Sequence, residues 1–281
     1  MRARRSSVSI PTTLFTWGVL VLLLLLVLLP FYWILNTSLK TMAQIQRTEG
    51  IYVPRPFTLE HYRDLFRMTH FTDWLRNSAM AAIGTTLLTI LISSLAAYSI
   101  SRLTYPGRRV LATWVMITYL IPPSLLFIPL YTILRQLKLV NTLWALLVSY
   151  PTFTVPFCTW LLMGFFKSIP SELEDAALVD GATRFQAFLW IILPLAAPGI
   201  LAASLFSFTL AWNEFLYALI FVQNVELKTV PVGLNDLLFG DIFLWGQLMA
   251  AATVTTLPVV ILYIYLHRYM VEGAIAGAVK G

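Results

Sequence analysis

Charge is scarce in this chain of 281 residues. Only 11% of positions are Asp, Glu, Lys or Arg, against about 25% in an average soluble domain, and that excludes an ordinary soluble fold. Cysteine occurs once, as Cys158 inside an apolar run. A lone thiol excludes an intramolecular disulfide framework and a cysteine-cluster metal site, and leaves a small packing residue. The three histidines, His61, His70 and His267, are far apart in sequence and lack metal-ligand spacing, so no metal site is expected. The patterns GxxxxGK[ST], HExxH, GxSxG and GxGxxG are all missing, which leaves no recognisable nucleotide loop, zinc-binding helix or nucleophile elbow. No catalytic residue and no bound cofactor are expected. The net charge of +6 does not point to nucleic acid, because the basic residues sit at the ends of apolar runs and in loops rather than in a stripe.

Apolar residues are abundant instead: 59% of the chain, with a mean hydropathy of +0.79. A span needs about 20 mostly apolar residues to cross roughly 30 Å of hydrocarbon. Runs at 14–35, 79–100, 110–131, 143–166, 195–222 and 248–266 meet that length. The expected fold is an all-α membrane protein with six transmembrane helices in a single domain over 1–281. The first run follows Arg2, Arg4 and Arg5, but it is too long for a signal-peptide core and lacks a small-residue cleavage site; it reads as a first span. Pro122, Pro123 and Pro129 fall in the third run, and Pro151 and Pro156 in the fourth. Each removes a backbone donor that neighbouring helices or water must replace; plain kinks and cavity-facing breaks both fit.

Orientation is weakly marked. With residues 1–13 and 267–281 cytoplasmic, the inner side holds Arg2, Arg4, Arg5, Arg102, Arg108, Arg109, Lys167, Arg184, Arg268 and Lys280. The other Lys and Arg residues fall outside, most of them between Lys40 and Arg76, so the clusters at the first inner span ends favour this orientation only modestly. The Lys40–Arg76 segment mixes charges of both signs with Tyr62, Phe66, Phe71 and Trp74, the composition of a small folded or interfacial segment.

The densest local signal lies between the fourth and fifth runs. Ser171 and Glu174 have the spacing of a capping box, Gly181 suits a helix C-terminus, and Thr183 with Gln186 repeats the box. A short helix over 171–180, a glycine corner and a second helix leading into the next span are expected. Leu173, Ala176, Ala177 and Asp180 share one side at helical spacing. The small alanines admit another backbone, while Glu172, Glu174 and Asp175 offer carboxylates to a basic partner. An amphipathic connector lying on the membrane is the plainer alternative, although an anionic inner leaflet would repel those acids.

Here the chain resembles a known family. Asp175-Ala176-Ala177-x3-Gly181-x9-Ile191-x-Leu193-Pro194 follows the motif EAA-x3-G-x9-I-x-L-P of binding-protein-dependent ABC importer permeases, with Asp175 where the motif has glutamate. Asn77-Ser78, Ala96-Ala97-Tyr98 with Arg102, Asp180-Gly181-Ala182, Trp212-Asn213-Glu214-Phe215, Pro231-Val232-Gly233-Leu234 and the closing Gly273–Gly281 tail narrow the resemblance to the carbohydrate-uptake branch, the maltose-permease type. The resemblance implies a cytoplasmic coupling helix that docks an ATPase through Glu174, Asp175, Ala176, Ala177, Asp180 and Gly181. It also implies a second permease subunit, a pair of ATPase subunits that bind ATP and Mg, an external solute-binding protein, a sugar substrate and a prokaryotic inner membrane. The tail, by resemblance, reaches toward the ATPase pair; a frayed terminus is the alternative.

Glu214 is the only acidic residue inside an apolar run, and intramembrane charges are costly unless paired or hydrated. With Trp212 and Asn213 it forms either a sugar contact or the brace of a gate, and Tyr150 and Gln247 are further candidates for the path. Two rivals stay in view. An importer of the same type could carry glycerol phosphate or a polyamine, and a self-sufficient secondary transporter would need a paired intramembrane charge network.

Overall fold

The computed structural model describes residues 10–47, 50–239 and 242–278. The basic cluster Arg2, Arg4 and Arg5, the loop acid Glu49 and the closing Val279-Lys280-Gly281 lie outside the described residues. The elements run in order α1 (Ile10–Ser38), α2 (Met42–Ile45), α3 (Glu60–Met68), α4 (Phe71–Arg102), α5 (Arg108–Leu120), α6 (Pro123–Gln136), α7 (Leu143–Ser149) and α8 (Pro151–Ser168). There follow α9 (Ser171–Val179), α10 (Arg184–Ala187), a π-helical segment (Phe188–Ile192), α11 (Leu193–Leu195), α12 (Ala197–Trp212), α13 (Leu216–Phe221), α14 (Val230–Asn235) and α15 (Trp245–Ala278). The described strands are a two-residue pair, Leu238–Phe239 against Ile242–Phe243.

Among the described residues, four stretches are long and apolar enough to cross a membrane: Phe15–Ser38, Phe71–Arg102, Leu143–Ser168 and Trp245–Leu266. The expected runs at 110–131 and 195–222 are not single straight helices. Arg108–Leu120 and Pro123–Gln136 bend by 99°, Arg184–Leu195 and Ala197–Trp212 bend by 78° at the start of the 195–222 run, and that run breaks again between Trp212 and Leu216. At the first break Ile121 is extended (φ −73°, ψ 120°), the conformation that a following proline imposes, and Pro123 starts the next helix where a missing N–H is harmless. Expected boundaries also moved: α4 begins at Phe71 rather than Ala79, and α15 continues as helix past Leu266 to Ala278.

The described residues fall into two compact units. The first comprises residues up to 69 together with 237–254. Its apolar helix α1 is unburied throughout its most hydrophobic window, so an all-round apolar surface is left for lipid or another protein to cover. Beyond its end the chain folds back through polar side chains. Ser38 shares a 2.7 Å hydroxyl–hydroxyl contact with Tyr62, Asn36 donates to the Ile51 carbonyl at 2.9 Å, and the His61 ring meets the Lys40 carbonyl at 2.8 Å. Thr41 and Gln44 close a complete capping box. The Lys40 ammonium lies 4.3 Å above the Trp33 ring, and burial holds it below the ordinary lysine range.

The second unit, 70–236 with 255 onward, is built on α4, α8 and α12. Buried small residues line α4 at Ser78, Ala82, Thr85, Thr89, Ser93 and Ala97, and α12 repeats the device at Gly199, Ala203, Ser207 and Ala211. Such stripes let backbones approach where lipid offers no hydrophobic drive between helices. Thr89 and Thr154 share a 2.6 Å hydroxyl contact between α4 and α8, and the fully buried Cys158 thiol reaches the Ala203 carbonyl at 3.5 Å.

Motif pieces that are distant in sequence meet at the start of α4. Asn77 donates to the carbonyls of Glu226 (2.7 Å) and Lys228 (3.1 Å), and Ser78 accepts from the Val230 amide at 2.8 Å. The Trp74 indole donates to the Val225 carbonyl at 2.8 Å, and its ring covers Gly233, where an added Cβ would lie 2.2 Å from ring carbons. Gly233→Ala is therefore expected to cost about 1–3 kcal/mol, measured as thermal unfolding in detergent; Gly50→Ala, at a position with room for a side chain, should change little.

Candidate functional site

The loop after α8 is a helix, a left-handed corner and a second helix. Gly181 has φ +89°, a conformation that favours glycine. Its amide donates to the Leu178 carbonyl at 3.2 Å and the Ala182 amide to Ala177 at 2.9 Å, the paired bonds of a Schellman ending. Thr183 and Gln186 then form the second capping box, as their spacing predicts.

The first box does not form. Pro170 holds the cap position and Ser171 is already the first residue of α9, with no side-chain cap. Glu174 turns inward instead, where it is 5% exposed and accepts a 2.6 Å hydrogen bond from the Tyr98 hydroxyl. An end amide of α9 can be satisfied by water, whereas a buried phenol needs an acceptor, and an O–H to carboxylate bond is the stronger of the two. Glu172, Leu173, Asp175, Ala176, Val179 and Asp180 stay exposed, and Ala177 is half-buried. Among the described residues none of Glu172, Asp175 and Asp180 is in an ion pair. The surface α9 offers is thus acidic and small-residued, with Leu173 and Val179 as its apolar members.

The intramembrane candidates fall in two places. Tyr150 is fully buried and Trp212 nearly so, the latter stacked on Phe208. Glu214 stands in the break between α12 and α13, where its carboxylate accepts from the amides of Tyr217 (2.8 Å) and Ala218 (3.0 Å). It therefore caps α13, whose free N–H groups favour a negative charge. The Tyr150 hydroxyl lies near that carboxylate, without a hydrogen bond of normal geometry. Asn213 and Glu214 line a cavity of about 620 Å³ together with Tyr119, Thr152, Phe153 and Phe215. Gln247 belongs to the first unit, where it lines a cleft of about 220 Å³ with Glu60, His61 and Asp64.

Two contacts were not foreseen from the sequence, although Arg102 belongs to the Ala96–Arg102 piece of the family pattern. Asn141, at φ +61°, accepts from the amides of Gln223 and Asn224 at 3.1 and 2.9 Å and so holds the chain leaving α13. Arg102 donates to the carbonyls of Phe166 and Ile169 at the end of α8. Its place four residues after Tyr98, on the same helical face, was the available signal.

Residues 89–274 match the family described as the binding-protein-dependent transport system inner membrane component. The chain belongs to this family. Among its permease relatives, the sulfoquinovosyl glycerol transport system permease SmoH of Agrobacterium fabrum is 40% identical over 90% of this chain and 89% of its own length. The trehalose/maltose transport system permease MalG of Thermococcus litoralis is 37% identical over 93% and 94%. A bacterial ABC transporter involved in the import of the acidic polysaccharide alginate contains a chain with the same fold, at a TM-score of 0.81 and 20% identity over 96% of this chain and 99% of that one. In this permease, Glu214→Ala should loosen α13 by about 1–2 kcal/mol while Glu214→Gln, which keeps an acceptor, costs less. Thermal unfolding in detergent reads the difference, and equal stability of the two variants would remove the capping role.

Proposed function

We propose that this chain is one permease subunit of an ATP-binding-cassette importer that moves a sugar or sugar-like solute inward. Its partners on this reading are a related second permease, two cytoplasmic ATPase subunits that bind ATP and Mg, and an extracytoplasmic solute-binding protein. The chain contributes half of a pathway and no catalysis. Counting each bent pair as one crossing gives six spans, with both termini and α9 on the cytoplasmic side of a prokaryotic inner membrane.

The observation that carries the reading is α9 itself. An exposed face of carboxylates and alanines is presented on a glycine-locked corner, at the place where the family motif has its docking loop. ATP-driven closure of the ATPases would move α9 as a lever and rock the spans between outward and inward openings. The sugar class is supported by the substrates for which the relatives are named, sulfoquinovosyl glycerol and trehalose or maltose; glycerol phosphate or a polyamine is the alternative cargo. Among the described residues Glu214 is the only acidic one lining the cavity it shares with Asn213, and its engagement with two amides favours a brace or gate over direct sugar contact. A secondary transporter would need a paired charge network there.

Asp175→Lys, Ala177→Trp and Gly181→Pro test the docking reading. Each is expected to reduce co-purifying ATPase about tenfold or more without loss of this chain from the membrane. If association and uptake both survive intact, α9 is not the docking element.

A further inference from the structure

The last two turns of α4 hold the loop at its entry and its centre. Arg102 donates to the carbonyls of Phe166 and Ile169, where α8 ends and the loop begins. Tyr98, one turn earlier on the same face, donates to the Glu174 carboxylate in the middle of α9 at 2.6 Å. The carbonyl of Arg184, where the loop leaves α9 for α10, lies 3.3 Å from the same hydroxyl. A loop that merely displayed a surface is already joined covalently to α8 and α10 and needs no third attachment. Here α4, which is 67 residues away in sequence at the Arg102–Ile169 contact, grips the loop's entry and centre, with the exit carbonyl beside the same hydroxyl.

The chemistry of the central contact makes it stiff. The Glu174 carboxylate is removed from water, so breaking its bond to Tyr98 would strand a buried charge. The Tyr98 ring is itself seated on Phe188, with centroids 4.7 Å apart, and the neighbouring Ala97 is fully buried. A displacement of α9 that left α4 behind would have to break this buried bond.

We infer that Tyr98 and Glu174 form a rigid link that passes movement of α9 to α4, with Glu174 a positioning residue that does not touch the partner. The inference rests on α9 being the ATPase-docking helix. It divides the two neighbouring acids of the motif between two tasks: Asp175 faces outward to the partner and Glu174 faces inward to the spans. From α4 the movement reaches α8 and α12 through the small-residue seam.

The test uses the assembled complex with its ATPase subunits, carrying nitroxides at Ser171→Cys at the start of α9 and Leu91→Cys on α4 in a Cys158→Ala background; Ser171 and Leu91 are both exposed and neither belongs to the docking face. Pulsed electron-spin distances are recorded without nucleotide and with ATP–vanadate. In the otherwise unaltered chain the α9–α4 distance should be narrow and the same in both states. Tyr98→Phe, which keeps the ring on Phe188 and removes only the hydroxyl, should broaden the distribution roughly twofold or more, as should Glu174→Ala. Glu174→Gln, whose amide oxygen accepts the same bond, should restore the narrow distance. Both Tyr98→Phe and Glu174→Ala should retain co-purifying ATPase at the unaltered level. A distance that shifts with nucleotide in the unaltered chain, or stays narrow in Tyr98→Phe, overturns the link. Loss of ATPase from a folded Glu174→Ala variant makes Glu174 a partner contact and overturns it as well. Failure of the unaltered chain to bind ATPase contradicts the docking reading instead, and the nucleotide-free distributions still decide whether the link is rigid.

Discussion

Close backbone approach along α4 is the constraint on which the second unit depends. In a bilayer, apolar side chains gain nothing by leaving lipid for one another, so packing and interhelical hydrogen bonds must hold the helices together. Ser78, Ala82, Thr85, Thr89, Ser93 and Ala97 give α4 a face with almost no side-chain bulk. Gly199, Ala203, Ser207 and Ala211 give α12 a matching one. The same helix anchors the segment after α13 through Trp74, Asn77 and Ser78 at its start and the α8–α10 loop through Tyr98 and Arg102 at its end. One rigid element thus has polar attachments at both termini and a small-residue seam between them.

A second constraint explains the breaks. Backbone that is not helical within a membrane must lie against protein or a wet cavity. The break between α12 and α13 meets it by placing Asn213 and Glu214 on a cavity and turning the Glu214 carboxylate onto two free amides. Capping of this kind uses an acidic residue without requiring a substrate, which is why a lone intramembrane carboxylate is weak evidence for a sugar contact.

What was legible in the sequence was what depends on near neighbours. Gly181 and the Thr183–Gln186 box are decided within a few residues, and both form as their spacing predicts. The long apolar runs were equally legible, because span length is a property of composition. Ser171 and Glu174 have the same local spacing as the second box, yet the outcome was decided by Tyr98, 76 residues earlier in the chain. No local rule reveals that a buried phenol will compete for the carboxylate. The bends at Ile121 and Ala196 were marked by prolines, but a proline alone does not distinguish a kink from a break of 99° or 78°.

The central claim is that α9 is the surface on which a cytoplasmic ATPase rests. Its most direct test places a single thiol at Ala176, exposed on α9, in the Cys158→Ala background and treats native membranes with a short thiol-to-amine cross-linker. The account predicts a covalent adduct between this chain and the ATPase subunit, and none from a thiol at Gly50, which lies far from α9 in the chain. An ATPase that co-purifies with the chain yet gives no adduct from position 176 would contradict it.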